Sequence, residues 1–473
     1  MQQNSILVIY NVQLVDSSIN GSGLVIAENG IIKNVIFGEV KTEEKAKKLV
    51  SSIINSSFEK ETFFDGKGLT LMPSFIDMHV HFRFPGQTQK EDLDSGLKAA
   101  VAGGFGTVVT MPNTNPVVST QKLARSIMEE AKSKHLAKVF QTVSITKDFA
   151  GENTSELENI SSIEIPVISE DGKDVASSAV MLDAMKKAAK NRVIVSCHCE
   201  DPSLAQNARP FRAKALDLMK KYNIPAGKIN ADLSKIPDSV NFEIDGNLTT
   251  ANNLLSLAED IATMRNIEIA KLAGCHVHIC HCSTANSLEA VRNAKRLVQQ
   301  GKFTNGFNCT VEVTPHHIAL KGDESPNIRA LVNPPLRNEE DRLAVINAIK
   351  DGTVDVISTD HAPHTQEDKA AGSPGFTGLE TSFAVCNTIL VQKEGISLNR
   401  LSALMSENPA RLLKINEGKL IPGNKANFVL VAPNESWTVN PNKFFSKGKS
   451  TPFEGSKLIG KVHATFFEGK QVF

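Results

Sequence analysis

The sequence lacks the features that would point to a membrane, a secretory route or a polyanionic partner. Its 473 residues contain no apolar run near the roughly 18 residues that a membrane span needs. The first residues, Met1-Gln-Gln-Asn-Ser5, have neither the basic region nor the apolar core of a signal peptide. The 52 basic residues balance the 52 acidic ones, so the composition favours neither nucleic acid nor a membrane surface as a partner.

The sequence also lacks the even, spaced cysteines of a disulfide framework. Its seven cysteines are odd in number and several flank histidines, as in Cys197-His-Cys199 and Cys280-His-Cys282. This pattern is typical of a reducing compartment and predicts a cytoplasmic protein. Both clusters lie in apolar stretches with the character of strands, whose side chains alternate between two faces. We interpret these cysteines as small buried residues on the outward, helix-packed face rather than as metal ligands.

A repeated alternation of buried strand, loop and helix begins after residue 65. Eight apolar stretches predict strands, at residues 75–80, 107–111, 138–143, 163–168, 193–197, 276–280, 309–313 and 354–358. Helical patterns lie between most of them, for example at residues 121–136 and 339–350. Alternating strands and helices favour parallel pairing, and eight such units predict an α/β fold, a closed (β/α)8 barrel of the TIM type.

The two ends of the chain have a different, β-rich texture. Short strands are predicted at residues 6–14, 23–28 and 31–38, and again at 427–431, 464–467 and 471–473. We predict that residues 1–70 and 418–473 form one small composite β domain beside a barrel of residues 71–417. His198 and His281 lie 83 residues apart, far more than the roughly 30 of an average strand–helix unit. We therefore expect an insertion within residues 204–255 that forms surface structure.

Polar side chains follow most of the predicted barrel strands within one to three positions. In strand order they are His79 and His81, Asn113, Asp171, His198, His281, His316 and His317, and Asp360. Barrel enzymes build their sites on this carboxyl-end face. Because side chains of a strand alternate with period two, Asp77, His79 and His81 are predicted to share one face of the first strand.

Four of these histidines and two aspartates suit a site for one or two zinc-type ions. They are His79, His81, His198, His281, Asp171 and Asp360. Imidazole nitrogens bind such ions, and a carboxylate can bridge two cations that would otherwise repel each other. The ions would lower the pKa of a bound water, and a nearby carboxylate could accept its proton.

Several sequence motifs, spread over nearly the whole chain, carry a family resemblance. They are Asp77-Met-His-Val-His-Phe-Arg-Phe-Pro-Gly86, Ala102-Gly-Gly-Phe-Gly-Thr107, Met111-Pro-Asn-Thr-Asn-Pro116, Glu170-Asp-Gly172, His198-Cys-Glu-Asp201, Cys280-His-Cys-Ser-Thr284, Asn333-Pro-Pro-Leu-Arg337, Ser358-Thr-Asp-His-Ala-Pro-His364, Gly378-Leu-Glu-Thr381 and Ser446-Lys-Gly-Lys-Ser-Thr-Pro-Phe453. With them the chain resembles the amidohydrolase superfamily, and within it the bacterial dihydroorotase family that has an aspartate where other members carry a carboxylated lysine. The last two motifs and the run Arg83–Gly86 are specific to that family.

The resemblance implies a role for each matching position. His79, His81 and Asp360 would hold one zinc ion, and His198 and His281 the second, with Asp171 and a hydroxide bridging the two. Asp360 would also be the proton shuttle. Substrate contacts are implied for His81, Arg83, Asn113, Asn333, His364, Pro374 and Gly375.

The reaction that this resemblance implies is the reversible closure of N-carbamoyl-L-aspartate to L-dihydroorotate in pyrimidine synthesis. Arg83, Asn113 and His364 would bind the substrate carboxylate and Asn333 the pyrimidine ring. An arginine suits the carboxylate because its planar guanidinium can bind it with two hydrogen bonds.

The chain departs from the family pattern at three places, and two alternatives stay open. Glu170 replaces an aspartate, residues 373–376 read Ser-Pro-Gly-Phe where Phe-Gly is expected, and the insertion is unusual. A hydantoinase, dihydropyrimidinase or allantoinase would need a carboxylated lysine, for which Lys173 and Lys186 are near, but Asp171 occupies that position. A catalytically silent scaffold for aspartate transcarbamoylase is the other alternative, against which the complete ligand set argues. For the oligomeric state, a homodimer is one of the possibilities that the sequence leaves open.

Six further histidines are assigned to structure rather than to metal binding. His135 and His463 fit surface or packing positions, and His276 and His278 fit packing or hydrogen bonding. His316 and His317 could fix the tautomer of a metal ligand from behind.

Overall fold

The computed structural model of the protein describes residues 5–54, 60–224 and 236–473. Its strands are β1 (Ser5–Val15), β2 (Asn20–Glu28), β3 (Ile31–Phe37), β4 (Lys60–Asp65), β5 (Thr70–Pro73), β6 (Phe75–Val80), β7 (Phe105–Thr110), β8 (Lys138–Gln141), β9 (Val143–Ser144), β10 (Val167–Ser169), β11 (Ile194–Cys197), β12 (His276–Ile279), β13 (Asn308–Val313), β14 (Val356–Ile357), β15 (Phe428–Thr438), β16 (Lys457–Phe467) and β17 (Lys470–Gln471).

The helices surround these strands in a regular order. They are α1 (Glu43–Ile53), α2 (Leu93–Ala102), α3 (Gln121–Ser133), α4 (Ser178–Asn191), α5 (Pro202–Lys221), α6 (Asp238–Ala273), α7 (Ala285–Gln299), α8 (Pro315–Ala319), α9 (Glu339–Lys350), α10 (Gln366–Ala370), α11 (Ser382–Cys386), α12 (Leu398–Ser402) and α13 (Asn408–Leu413). Two π-helical turns, Asn387–Lys393 and Ala403–Glu407, continue α11 and α12. Of the helices described, none is long and apolar enough to cross a membrane.

Both ends of the chain meet in one eight-stranded sheet, the terminal sheet. Its order is β17-β16-β15-β5-β1-β2-β3, and β4 pairs with β1 in parallel. Alternate residues of β1 bury opposite faces: Leu7 and Ile9 pack in a cluster with Phe428, whereas Val8 packs with Val50 of α1. A strand buried on both faces needs apolar residues at nearly every position, which explains the continuous apolar run of β1.

The second unit is a closed barrel of parallel strands. β6, β7 and β8 form one sheet, and β9 to β14 form another. β8 and β9 are one strand interrupted at Thr142, whose N–H still donates to the carbonyl of Thr110 at 3.0 Å. The first and last strands close the ring where His81 donates its N–H to the carbonyl of His361 at 2.8 Å. The predicted (β/α)8 barrel with a β unit formed by both termini is therefore confirmed.

The barrel interior is sealed at its amino-terminal end. Ile76, Val167, Ile194 and Val356, each at the start of its strand or one residue further on, pack with Leu412 of α13. This apolar plug fills the lower barrel, so the carboxyl ends of the strands are left for polar side chains.

Three details differ from the sequence-based expectations. The fourth barrel strand was predicted at residues 163–168 but is Val167–Ser169, and Ile163 is 89% exposed in a turn. Two 3-10 turns, Lys147–Phe149 and Ser155–Asn159, stand after the third barrel strand in place of an α-helix. Helix α1 and strands β4 and β5 were not predicted. Strand β5 crosses residue 70, and the domain limits at 70/71 and 417/418 stay a prediction.

The expected insertion consists largely of the helix pair α5 and α6. The two helices share small apolar clusters, for example Ala208 with Ala251 and Leu255. Residues 225–235, which join them, lie outside the described residues. The second half of α6 takes the place of the barrel helix before β12 and contributes Ala262 and Ala270 to the outer core.

Candidate metal centre

An irregularity in β6 positions the first two histidines. The register of β6 against β7 shifts between Asp77 and Val80, which changes the alternation of side chains before His79. The Asp77 carboxylate accepts hydrogen bonds from the backbone N–H of His79 at 3.0 Å and of Thr359 at 3.1 Å. The prediction that Asp77 shares the face of His79 and His81 was therefore wrong, because a bulge separates them.

Asp171 lies at the centre of four imidazole rings. Its Oδ1 is 3.3 Å from His79 Nε2, 3.2 Å from His198 Nδ1 and 3.6 Å from His281 Nε2, and its Oδ2 is 3.4 Å from His81 Nε2. The ligand atoms form two groups, each within 4.8 Å: His79, His81 and Asp171, and Asp171, His198 and His281. Asp171 belongs to both groups and so joins them.

Local backbone geometry holds Asp171 in this position. Strand β10 ends at Ser169, whose Oγ accepts the N–H of Asp171 at 3.1 Å. The next residue, Gly172, has a φ of +89°, and a Cβ there would lie 3.1 Å from the side-chain nitrogen of Asn113. Glycine thus lets the chain turn sharply beside the cluster. The neighbouring Glu170 points elsewhere, and accepts the N–H of Thr146 at 2.9 Å.

Asp360 contacts the first group from the last barrel strand. Its Oδ1 lies 3.1 Å from His81 Nε2 and 3.5 Å from His79 Nε2. Burial alone would raise the pKa of this carboxyl, but the hydrogen bond from His81 and the neighbouring histidines lower it to about 2. Asp360, His281 and Arg83 all have positive φ values, of 49°, 30° and 55°. Such strained conformations concentrate at functional sites.

The cluster fits a cation on two counts. His79 Nε2, Asp171 Oδ1 and His198 Nε2 are buried without a hydrogen-bond partner among the described residues. In addition, His198 Nδ1 and His281 Nε2 face each other at 3.0 Å. Buried polar atoms normally have partners, and several imidazole nitrogens around carboxylates are the donor set of zinc-type ions.

Glu312 supports this cluster from below and was missed by sequence reasoning. Its buried carboxylate accepts from His79 Nδ1 at 2.8 Å, from Ser358 Oγ at 2.6 Å and from His278 Nε2 at 3.1 Å. A carboxylate on one ring nitrogen fixes the tautomer, so His79 presents Nε2 towards Asp171. The signal was available: Asn308, Thr310 and Glu312 are polar and alternate with apolar residues along this strand.

Other roles assigned from the sequence need correction. His317 Nε2 donates to the carbonyls of Pro334 and Pro335 at 3.2 Å, and its Nδ1 accepts from the Thr314 hydroxyl at 2.8 Å. His316 Nε2 has no hydrogen-bond partner among the described residues. Neither histidine therefore fixes a proposed ligand.

The cysteine interpretation holds in part. Cys197, Cys199 and Cys282 lie in the outer core as predicted. Cys280 does not, because its Sγ lies within 4.8 Å of ligand atoms of His79 and Glu312. Burial raises the pKa of Cys280 to about 12, so it is a neutral thiol. All seven cysteines are free.

A buried cationic rim lies beside the metal cluster. The Arg83 guanidinium contacts His364 Nε2 at 3.3 Å and donates to the carbonyl of Pro363 at 3.3 Å. Burial lowers the pKa of Arg83 to about 10, and burial together with Arg83 lowers that of His364 to about 3. A charged guanidinium therefore stands beside a neutral imidazole, and both can bind an anion.

The loop with Pro374 and Gly375 closes against this rim. His364 Nε2 lies 3.0 Å from the carbonyl of Pro374. The buried Lys369 amine donates to the carbonyls of Ser373 at 2.7 Å and Gly375 at 2.9 Å. Sequence reasoning did not single out Lys369, which anchors the loop whose residues depart from the family pattern.

Asn113 and Asn333, the two asparagines implied as substrate contacts, form hydrogen bonds with other side chains of the protein. Asn113 Oδ1 accepts from His81 Nδ1 at 2.9 Å, so Asn113 orients a proposed ligand. Asn333 donates to Glu200, and its Oδ1 accepts from Arg212 at 3.3 Å. Arg212 belongs to α5, so the insertion contacts Asn333 directly.

Comparison with known proteins agrees with this geometry. The amidohydrolase family profile matches residues 70–472. A dihydroorotase of Clostridium botulinum is 38% identical over 465 residues, covering 98% of each chain. A dihydroorotase of Fusobacterium nucleatum is 36% identical and covers 93% of this chain and 96% of its own.

Solved structures show the same fold. The L-hydantoinase (dihydropyrimidinase) of Arthrobacter aurescens has a TM-score of 0.76 at 21% identity, covering 98% of this chain and 95% of its own. The dihydropyrimidinase of Brevibacillus agri has a TM-score of 0.74 at 19% identity, covering 99% and 95%. At these identities the likeness concerns the fold alone. The family profile and the sequence relatives together show that the chain belongs to the amidohydrolase family, and within it to the dihydroorotases.

Proposed function

We propose that this site carries out the dihydroorotase reaction, the reversible cyclisation of N-carbamoyl-L-aspartate to L-dihydroorotate with loss of water. The observation that carries the proposal is the buried Arg83 beside His364, at the edge of a cluster built for cations. Dihydroorotate differs from dihydrouracil by one carboxylate, and Arg83 offers that anion a fixed cationic partner.

We assign the metal to zinc, with one or two ions per subunit. His79, His81 and Asp360 would hold one ion, His198 and His281 the other, and Asp171 would contact both, as its position between the two groups supports. When bound, zinc would supply an activated water at neutral pH and polarise the carbonyl. Glu312 and Asn113 orient His79 and His81 for this task.

Asp360 is the proposed proton shuttle. With a pKa of about 2 its carboxylate is ionised at neutral pH and can accept a proton from the attacking water. In the hydrolytic direction it would pass this proton to the ring nitrogen as the C–N bond breaks, and in the cyclisation it would work in reverse. During these steps Arg83, His364 and the carbonyls of the loop with Pro374 and Gly375 hold the substrate in a fixed position.

The test is a comparison of substrates and of two variants, with metal content measured throughout. The wild type should hydrolyse dihydroorotate and turn over dihydrouracil and hydantoin barely, because the rim would be left without its anion. Arg83→Met should raise KM for dihydroorotate about tenfold or more, whereas Asp360→Asn should lower kcat by about 10² to 10⁴.

The outcomes separate the alternatives. Efficient turnover of dihydrouracil by the wild type would contradict the proposal in favour of a hydantoinase-like enzyme. Full metal content with no turnover of any of the three substrates would indicate a silent scaffold. The exposed Arg125→Met on α3 is the matched control for loss of an arginine and should behave as the wild type.

Three further assignments belong to the same proposal. We place the protein in the cytoplasm, which its seven free, buried thiols support. We also propose that the protein forms a homodimer and that it associates with aspartate transcarbamoylase in the cell. Sedimentation velocity of the protein alone, and then mixed with that enzyme, tests both.

A further inference from the structure

A cavity opens at the amino-terminal end of the barrel, on the opposite side from the metal cluster. Its volume is about 560 Å³, within the range of small-molecule sites. It is formed where β10, β11 and β12 begin, with the end of α4 and the residue after α13. Pro166, Ile194 and Leu412 give it apolar walls. This cavity, which we call the lower cavity, has no part in the function proposed above.

Cationic side chains dominate the rim of the lower cavity. Lys186, Lys190, Arg192 and Lys414 line it, and no acidic side chain does. Within the described parts of the chain, none of these four makes an ion pair with a carboxylate. Lys186 lies near the carboxylate of Asp183 on its own helix. Lys190, Arg192 and Lys414 bring like charges to one rim, and a bound anion would lower their mutual repulsion.

His276, at the first position of β12, lines the same cavity. Burial, His278, Lys414 and Arg411 together lower the pKa of His276 to about 3, so its ring is neutral. Lys414 and Arg411 lie close enough to this ring to lower its pKa, as cations beside an imidazole do.

One ring nitrogen of His276 is already used inside the protein. His276 Nε2 lies 3.0 Å from the hydroxyl of Thr310, which also lies 2.8 Å from His278 Nδ1. Nδ1 of His276 is therefore the ring nitrogen left for a ligand in the lower cavity. A hydroxyl group both donates and accepts, so it can pair with this nitrogen whichever of the two ring nitrogens carries the proton.

We propose that the lower cavity binds a small phosphate ester that carries free hydroxyl groups, such as a sugar phosphate. Its phosphoryl group would lie against Lys190, Arg192 and Lys414, and one hydroxyl would form a hydrogen bond with His276 Nδ1. Cations alone would bind any anion, whereas the imidazole nitrogen beside them favours a ligand that has both an anionic group and a hydroxyl.

The experiment is isothermal titration calorimetry of the full-length, metal-loaded protein at constant ionic strength. The probes are ribose 5-phosphate, ribose without the phosphate, and methyl phosphate without sugar hydroxyls. Ribose 5-phosphate should bind saturably at one site per chain and about tenfold more tightly than methyl phosphate. Ribose should not bind, and His276→Phe should remove the difference between the two esters.

Matched double variants locate the site. Lys190→Gln with Lys414→Gln should weaken ribose 5-phosphate binding at least tenfold while KM for dihydroorotate stays unchanged. Lys132→Gln with Lys134→Gln removes the same charge from the exposed end of α3 and should leave binding intact. Absence of binding, or equal loss in both double variants, would overturn the proposal. Binding that survives Lys190→Gln with Lys414→Gln but is lost on chelation would place the anion at the metal cluster and overturn it too.

Discussion

At the scale of single residues, Glu312 determines how His79 meets a cation. Its carboxylate holds His79 Nδ1 at 2.8 Å and also accepts the backbone N–H of His281 at 3.3 Å. It therefore touches one proposed ligand of each group. The neighbouring histidines hold the pKa of Glu312 well below its ordinary value in spite of burial, so it is an acceptor without a proton of its own.

We predict that Glu312→Gln weakens metal binding about 10- to 100-fold, the usual effect of losing a carboxylate behind a ligating histidine. The amide can donate to His79 Nδ1 and so permits the wrong tautomer. Metal affinity is measured by competition with a chelator of known strength. Glu259→Gln is the control, since this buried carboxylate bonds Arg337 and Ser283 instead of a ligand. Unchanged metal affinity in Glu312→Gln, with lower stability alone, would contradict the assignment.

At the scale of elements, the alternation of strands and helices was enough to predict the barrel. The errors in that prediction come from local irregularities of the strands. Period-two alternation gave the shared face of His79 and His81 but misplaced Asp77, because a bulge depends on pairing with β7 that the sequence of β6 does not contain. Ile163 was assigned to a strand by its apolar character, although it lies exposed in a turn. The prediction that Cys280 faces outward failed for a similar reason. It assumed regular strand alternation up to His281, which leaves the strand with a φ of +30°.

The helix pair α5 and α6 shows why the role of the insertion was out of reach. Its length and polarity indicated surface structure, but the contact of Arg212 with Asn333 joins residues 121 positions apart. Tertiary contacts of this kind leave no periodic trace in one sequence. Arg212 also donates to the carbonyl of Val332 at 3.4 Å, and so holds the segment that carries Asn333.

We predict that Arg212→Met raises KM for dihydroorotate about tenfold and leaves metal content unchanged. Loss of a charge-assisted hydrogen bond costs about 1.5–3 kcal/mol when the partner stays buried, and Asn333 would lose its anchor. Steady-state kinetics and metal analysis give the two readouts. Arg209→Met, on an exposed position of the same helix, should behave as the wild type. A lower kcat at constant KM in Arg212→Met would reject a positioning role.

At the scale of the whole molecule, the terminal segments and the barrel are tied together beside the site. The Glu380 carboxylate accepts the N–H groups of Phe445 at 2.9 Å and Ser446 at 3.1 Å, and Thr377 donates its N–H to the carbonyl of Ser450 at 2.8 Å. These contacts join the motif at residues 378–381 to the one at residues 446–453. The two motifs that the sequence marked as family-specific thus meet in space, next to the loop of Gly375.

The proposed metal ligands span the barrel, so the metal should stabilise the entire fold. They lie in β6 or just after it, and just after β10, β11, β12 and β14, and β6 and β14 are the strands that close the ring. A cation that binds the native state alone, at about 1,000 times its Kd, adds about 4 kcal/mol to the free energy of unfolding. We predict that chelation, verified by elemental analysis, lowers the melting temperature and that added zinc restores it. Asp171→Asn lacks the carboxylate shared by both groups and should respond much less. An unchanged melting temperature of the metal-free wild type would contradict a cation that joins these strands.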